Sequence, residues 1–225
     1  MRERPSPNHG PRRTAVDMLI LHYTGMKTAQ AALDRLCDPA SEVSAHYLIG
    51  ESGAIWRLVP EDRRAWHAGR AFWAGTTDIN SRSIGIELAN PGHEYGYRPF
   101  PDAQMAALEQ LCRHILSRFP IPSHLVLGHA DVAPGRKRDP GELFDWQGLA
   151  AAGIGLWPEA DPGPDGGTVD PGIFAENMRR FGYENDSTEA VAAFQLHFRP
   201  SDVTGIPDDE TRTRLRNLII QAGLA

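Results

Sequence analysis

Along the first 157 residues the apolar positions switch between two periods. Residues 16–23 form a short, mostly apolar run bounded by turn residues, the pattern of a buried strand, with His22 near its end. Residues 44–49 and 54–59 flank Glu51-Ser52-Gly53 and read as a hairpin, while 83–88 and 125–127 add two more apolar runs. Helical patterns lie between them. The clearest starts at Asp102, read as an N-cap, and places Met105, Leu108, Leu111, Cys112, Ile115 and Phe119 on one face before Pro120 stops it. Residues 28–37, ended by Asp38-Pro39, and 141–152, closed by Gly153, read as two further helices. The alternation predicts an α/β fold class, a central sheet flanked by helices, over residues 15–157.

Residues 158–168, PEADPGPDGGT, break every periodicity and read as a linker. Their spaced aspartates resemble a calcium loop, but Gly163 and Gly172 stand where that loop needs oxygen ligands. Beyond the linker, residues 171–181, 188–198 and 209–222 read as three short helices of a small domain spanning 169–225. Asp186 and Glu189 give the second a capping-box-like start, and Gly223 closes the third. A unit of about 55 residues folds alone only marginally, so this tail is expected to lean on the first domain.

Composition narrows the function. With 23 basic and 29 acidic residues the net charge is -6, which argues against bulk attraction to nucleic acid or an anionic membrane and leaves a local cationic site open. No apolar stretch reaches the roughly 18 residues of a membrane-spanning helix. Residues 1–14, charged and Pro-rich, read as a disordered leader lacking the apolar core of a secretory signal, which points to the cytoplasm. The two cysteines, Cys37 and Cys112, fall inside helical patterns and read as small buried hydrophobes. No pattern marks an oligomer interface, so a monomer is expected.

The candidate chemistry centres on GHADVAPGRKRDPGELFDW, residues 128–146. His129 follows an apolar run and can be aimed from a strand end into a cleft, and Gly135 lets the chain turn back so that Asp139 can meet it. A catalytic zinc usually takes three protein ligands and leaves a fourth position open; His22, at another strand end, is the candidate third ligand. Glu87 closes the run SIGIEL, where a buried acid is costly unless it faces a cleft or a partner. In a metal hydrolase it would take a proton from water and deliver one to the leaving amine; otherwise it is a strand-end carboxylate paired with an arginine. Lys137 is either a fixed charge for an oxyanion or a solvated cation beside Arg136 and Arg138. An extended loop would point Lys137 and Asp139 to different sides, whereas a turn would bring both into the site.

Five segments in order carry a resemblance: LHYT at 21–24, SAHYLI at 44–49, RAWHAG at 64–69, SIGIEL at 83–88 and GHADVAPGRKRDPG at 128–141. Together they resemble the zinc-dependent N-acetylmuramoyl-L-alanine amidases of the second amidase family, the AmpD-like enzymes, with relatives among phage amidases and peptidoglycan recognition proteins. The resemblance covers roughly residues 15–157 and implies a central mixed β-sheet. It also implies one Zn2+ held by His22, His129 and Asp139, Glu87 as general base and Lys137 at the carbonyl or oxyanion. By the same likeness Arg64 and Asn80 contact peptide or sugar, with His46, Trp66 and His67 shaping the cleft. The implied reaction is hydrolysis of the amide between N-acetylmuramic acid, or its 1,6-anhydro form, and the L-alanine of the stem peptide. The chain has no GxSxG nucleophile elbow, in keeping with water as the attacking group.

The tail segments GYEN, AVAAFQLHF and GIPDDETRTRL resemble a three-helix peptidoglycan-binding module. The usual glycine-aspartate before its last helix is replaced by Gly205-Ile206-Pro207-Asp208, so a purely structural tail stays open. Such a module fits a location with polymeric murein, the periplasm or cell envelope, against the cytoplasmic reading of the leader. A peptidoglycan-recognition module without catalysis is the alternative function, and the presence of all three ligands and Glu87 weighs against it.

Overall fold

The computed structural model describes residues 1–158 and 171–225, so the linker reading at 158–168, like the calcium reading, lies outside the described residues except for Pro158. Eight strands form among these residues. They are β1 (Arg2–Glu3), β2 (His9–Pro11), β3 (Met18–Tyr23), β4 (Tyr47–Ile49), β5 (Ile55–Arg57), β6 (Arg63–Ala65), β7 (Ser83–Leu88) and β8 (Val126–Gly128). Six of them make one sheet in the order β1-β5-β4-β7-β3-β8, and β2 pairs with β6. Strands β4, β7, β3 and β8 run parallel while β4–β5 is antiparallel, so the sheet is mixed, as the resemblance implies.

The inner strands are apolar runs because both faces of the sheet are covered. Leu19 and Leu21 of β3, with Ile84, Ile86 and Leu88 of β7, pack on one face against helix α4 (Asp102–Leu116) through Leu108, Leu111, Cys112 and Ile115. Met18 and Ile20 face the other side. On β7 the residues alternating with those isoleucines are Ser83, Gly85 and Glu87, small or polar where a core face would carry bulk. That face therefore has room for a site.

The other helices are α1 (Ala29–Cys37), α2 (Ile79–Arg82), α3 (Gly92–Tyr95), α5 (His129–Val132), α6 (Trp146–Ala151), α7 (Pro171–Phe181), α8 (Thr188–Phe198) and α9 (Asp209–Gln221). Thr28 caps α1 by accepting from the Ala31 N–H. Several boundaries differ from the sequence reading. Asp102 is the first residue of α4 rather than its cap, since Pro101 in extended conformation already sets the entry. Helix α6 starts at Trp146, not 141, because Gly141 takes φ +86° and Asp145 is the residue whose side chain caps the helix on Gly148 N–H. Ser187 rather than Asp186 caps α8, accepting from Ala190 N–H.

The leader is also ordered. Its backbone pairs with β5 and β6, the buried Asn8 amide donates to the Asp38 and Val43 carbonyls, and Arg12 donates to the carbonyls of Glu61, Asn80 and Ser81. Main-chain pairing does not depend on side-chain hydropathy, so composition concealed it.

The C-terminal helices do more than lean on the sheet. Phe174, Met178, Phe181, Tyr183, Phe194, Phe198, Leu215 and Leu218 form one continuous core with Met18, Ile20, Trp73, Leu127 and Val132. Gly182 closes the join: at φ +139°, an added Cβ would stand 2.3 Å from the Trp73 indole, and its carbonyl accepts from Ala74 N–H. A shared core predicts one cooperative calorimetric transition for the whole chain. Phe194→Ala, at a fully buried position, should lower the stability of that single transition by about 3–5 kcal/mol; a separate transition for the tail, with the other unmoved, would contradict the shared core.

Candidate metal centre and cleft

Strand register builds the site. His22 of β3 lies opposite Glu87 of β7, and β8 aligns Gly128 with Leu21, so the next residue, His129, leaves its strand level with His22. Three side chains with chemistry thus sit at the carboxyl ends of three adjacent parallel strands. The return loop brings Asp139 to the same point, its carbonyl accepting from Ala130 N–H at 2.9 Å.

His22 Nδ1, His129 Nδ1 and Asp139 Oδ2 form a triangle with all three sides 3.0 Å, and all three residues are buried. The neighbours assign the proton positions. His129 Nε2 lies 3.0 Å from the Ala68 carbonyl and donates to it, which leaves Nδ1 as a lone pair. His22 Nε2–H donates to His67 Nδ1 at 3.0 Å, His67 Nε2–H to Ser83 Oγ at 3.2 Å, and Ser83 Oγ–H to the Ile79 carbonyl at 2.7 Å. With both Nε2 positions protonated, two lone pairs and a carboxylate oxygen face each other and cannot satisfy one another by hydrogen bonding.

A divalent cation resolves that conflict, and the donor set suits zinc: two imidazole nitrogens and one carboxylate, with a fourth position free. Tetrahedral zinc, with bonds of roughly 2.0–2.2 Å, requires ligand edges of about 3.3–3.6 Å, a small expansion of the observed triangle. The protonation states fit as well. Burial pulls His22 down to about 4, which leaves it neutral at pH 7. Burial alone would raise Asp139, but the two imidazoles that face its carboxylate at 3.0 Å hold it below the usual carboxylate range. Among the described residues this is the group of three suited to hold a metal ion, and it fits a single Zn2+.

The triangle opens onto a cleft of about 920 Å³ lined by Trp66, His67, Glu87, Lys137 and Asp139, with Lys27, Arg35, Arg136 and Arg138 on its walls. Glu87 Oε2 has no hydrogen-bond partner among the described residues, so the paired-arginine reading fails. Burial pushes its carboxyl well above the usual range, the charge of Asp139 adds to the rise, and Lys137 opposes it. Lys137 and Asp139 both face the cleft. The loop is a turn rather than an extended strand, closed by Lys137 N–H donating to the Ala133 carbonyl, so the two side chains are not on opposite sides.

Trp66 and His67 line the cleft as expected, but three other expected contacts belong to the framework behind it. The Asn80 carboxamide oxygen accepts from the His67 and Ala68 N–H groups, fixing the chain whose Ala68 carbonyl holds His129. Arg64 is paired with Asp78 at 2.9 Å. His46 is buried, accepts from Gly85 N–H at Nδ1 and donates to the Arg63 carbonyl from Nε2. Sequence reasoning missed Ser83 and Gly85, whose signal is the small and polar alternation within SIGIEL. It also missed Arg136, which donates to the Ala68 and Arg70 carbonyls.

Gly85 is needed because the His67 ring rests on it: an added Cβ would stand 2.5 Å from that ring. Gly85→Ala should displace His67, remove the acceptor that orients His22 and weaken zinc binding about tenfold or more. Chelator competition measures this, and an unchanged affinity would show that His67 has no part in orienting the ligand.

Comparison with known proteins agrees with this geometry. A family model described as N-acetylmuramoyl-L-alanine amidase matches residues 12–142, and a peptidoglycan binding domain family matches residues 182–215. The amidase AmiD of Escherichia coli (strain K12) is 38% identical, over 92% of this chain and 84% of its own length. The 1,6-anhydro-N-acetylmuramyl-L-alanine amidase AmpD of Haemophilus influenzae is 33% identical over 64% of this chain and 83% of its own. Among solved structures, E. coli AmiD in complex with anhydro-N-acetylmuramic acid-L-Ala-D-gamma-Glu-L-Lys superposes with a TM-score of 0.85 at 37% identity, covering 99% of this chain and 94% of that one. AmpDh3 of Pseudomonas aeruginosa gives 0.84 at 33% identity, covering 98% and 96%. The family match takes in more than half of the sequence and the likeness to AmiD nearly all of it, and on these grounds the chain belongs to the N-acetylmuramoyl-L-alanine amidase family.

Proposed function

We propose that this chain hydrolyses the amide joining N-acetylmuramic acid, or its 1,6-anhydro form, to the L-alanine of a peptidoglycan stem peptide. The observation that carries this reading is the convergence, at one cleft, of a zinc-suited ligand triangle and an acid with an unpartnered oxygen. Relatives solved with anhydromuramyl peptides, AmiD and AmpDh3, support the substrate class. The presence of every ligand together with Glu87 weighs against recognition without catalysis.

When bound, zinc supplies Lewis acidity toward the scissile carbonyl and toward the attacking water. The protein's own groups do the rest. Glu87 takes a proton from water as its oxygen bonds to the carbonyl carbon, then gives a proton to the nitrogen as the C–N bond breaks, releasing the lactyl carboxylate and the free L-alanine amine. Lys137, without a salt bridge among the described residues, places positive charge beside the oxyanion of the tetrahedral carbon. The wall cations Lys27, Arg35 and Arg138 suit the acidic groups of a stem peptide.

Product analysis by mass spectrometry, with the zinc-loaded protein on intact sacculi and on soluble anhydromuropeptides, tests the reaction. Stem peptides beginning with a free L-alanine amine are expected. Release from sacculi would favour a role in the envelope, and activity confined to the soluble substrate a role in recycling; no cleavage of either would sink the amidase reading. Glu87→Gln should retain zinc and lose about 10²- to 10⁴-fold in kcat, whereas Asp139→Ala should lose the metal itself. Metal analysis beside the rates separates the two roles.

A further inference from the structure

A second buried cluster lies directly behind the metal ligands and joins the ligand loop to the C-terminal region. Asp131, 1% exposed, sits in the single turn α5 that begins with His129. Its carboxylate accepts three hydrogen bonds. Gly128 N–H donates to Oδ2 at 2.7 Å from within the same turn. Tyr183 O–H donates to Oδ1 at 2.5 Å, and His197 Nδ1–H donates to Oδ2 at 2.7 Å, both from the C-terminal region. The His197 ring is in turn stacked on Trp146, with centroids 3.6 Å apart and planes inclined by 22°.

This turn positions two of the three ligands. His129 is its first residue, and its Ala130 N–H holds the Asp139 carbonyl. The turn is too short to fix itself, because no two of its four residues are four positions apart, and the bond from Ala133 N–H to the His129 carbonyl reaches in from its cap. A buried carboxylate that loses a donor faces a desolvation penalty and moves to find another partner. There is little room to move without carrying the ligand loop along: an added Cβ at Gly128 would stand 2.8 Å from Pro140 and 3.3 Å from Trp146.

We infer that the C-terminal three-helix region is part of the metal centre's support, with Tyr183 and His197 acting as positioning residues that hold Asp131 and, through its turn, set His129 and Asp139 for zinc. The region's task in this chain is thus not confined to holding glycan. This inference rests on the zinc reading of the ligand triangle.

The full-length protein tests it through zinc affinity, read by chelator competition, and through the visible spectrum of the Co2+-substituted protein, which reports ligand geometry. Tyr183→Phe removes one hydroxyl and should weaken zinc binding about tenfold and alter the Co2+ bands. His197→Leu should do the same, and His197→Asn, which keeps a donor near the Nδ1 position, should restore much of the affinity. Phe174→Leu, which thins the same shared core and is not among the rings packed on Tyr183 or His197, should lower the Tm and leave both metal readouts unchanged. If Tyr183→Phe and His197→Leu bind zinc as wild type does, with the same Co2+ spectrum, the inference is overturned while the zinc reading stands. It is overturned equally if Phe174→Leu shifts affinity as much as they do, since general loosening then accounts for the effect. A wild-type protein that binds no zinc would overturn the metal reading and this inference with it.

Discussion

Two imidazole lone pairs and a carboxylate oxygen held 3.0 Å apart in a buried place repel one another, and most of the unusual features of this fold exist to hold them there. Left to itself the group would relax by turning a ring or taking up a proton. Turning is blocked by a hydrogen bond on the far side of each ring, where Ala68 holds His129 and the sequence His67, Ser83, Ile79 holds His22, and burial disfavours a charged His22. The repulsion is thereby stored as affinity for a cation, and the outer partners decide how much of it is delivered to the metal.

That requirement explains the uneven faces of the sheet. On the α4 side the alternation is ordinary, with isoleucine and leucine against a helix. On the other side Ser83 and Gly85 give up apolar bulk so that His67 can lie flat against β7, and His46 and Asn80 brace the chain around it. A face so thinned cannot by itself supply a large core. The C-terminal helices restore it beyond the site by packing phenylalanines around Met18, Ile20 and Trp73. Site and tail are therefore two responses to one constraint, the loss of packing where chemistry needs room.

What could be read from the sequence follows from the range of the interactions. Strand β7 was legible residue for residue because a buried parallel strand is a local apolar run, and strand ends and a glycine-bearing return loop, being local features, made His22, His129, Asp139 and Glu87 candidates that the resemblance then joined into one site. Asn80, Arg64 and His46 were placed at the substrate by resemblance, but resemblance reports that a residue recurs and not which way it points. All three face the framework. The ordered leader pairs through its backbone, and the Asp131 cluster joins residues 52 and 66 positions apart; neither interaction leaves a periodic trace.

The two acids at the cleft show how one fold divides a single side-chain chemistry between two tasks. Asp139 sits where two histidines point at it, and their influence outweighs burial, so it stays ionised as a ligand must. Glu87 lies on the next strand, partly buried and without a donor on its buried Oε2, and the negative charge of Asp139 adds to the rise that burial causes. A carboxyl with a raised proton affinity is the one able to carry a proton between water and a leaving amine near neutral pH, whereas an acid held as firmly ionised as Asp139 would return nothing to the nitrogen. The division of labour follows from which carboxylate the histidines face, and that choice is made by strand register and the turn at residues 133–137.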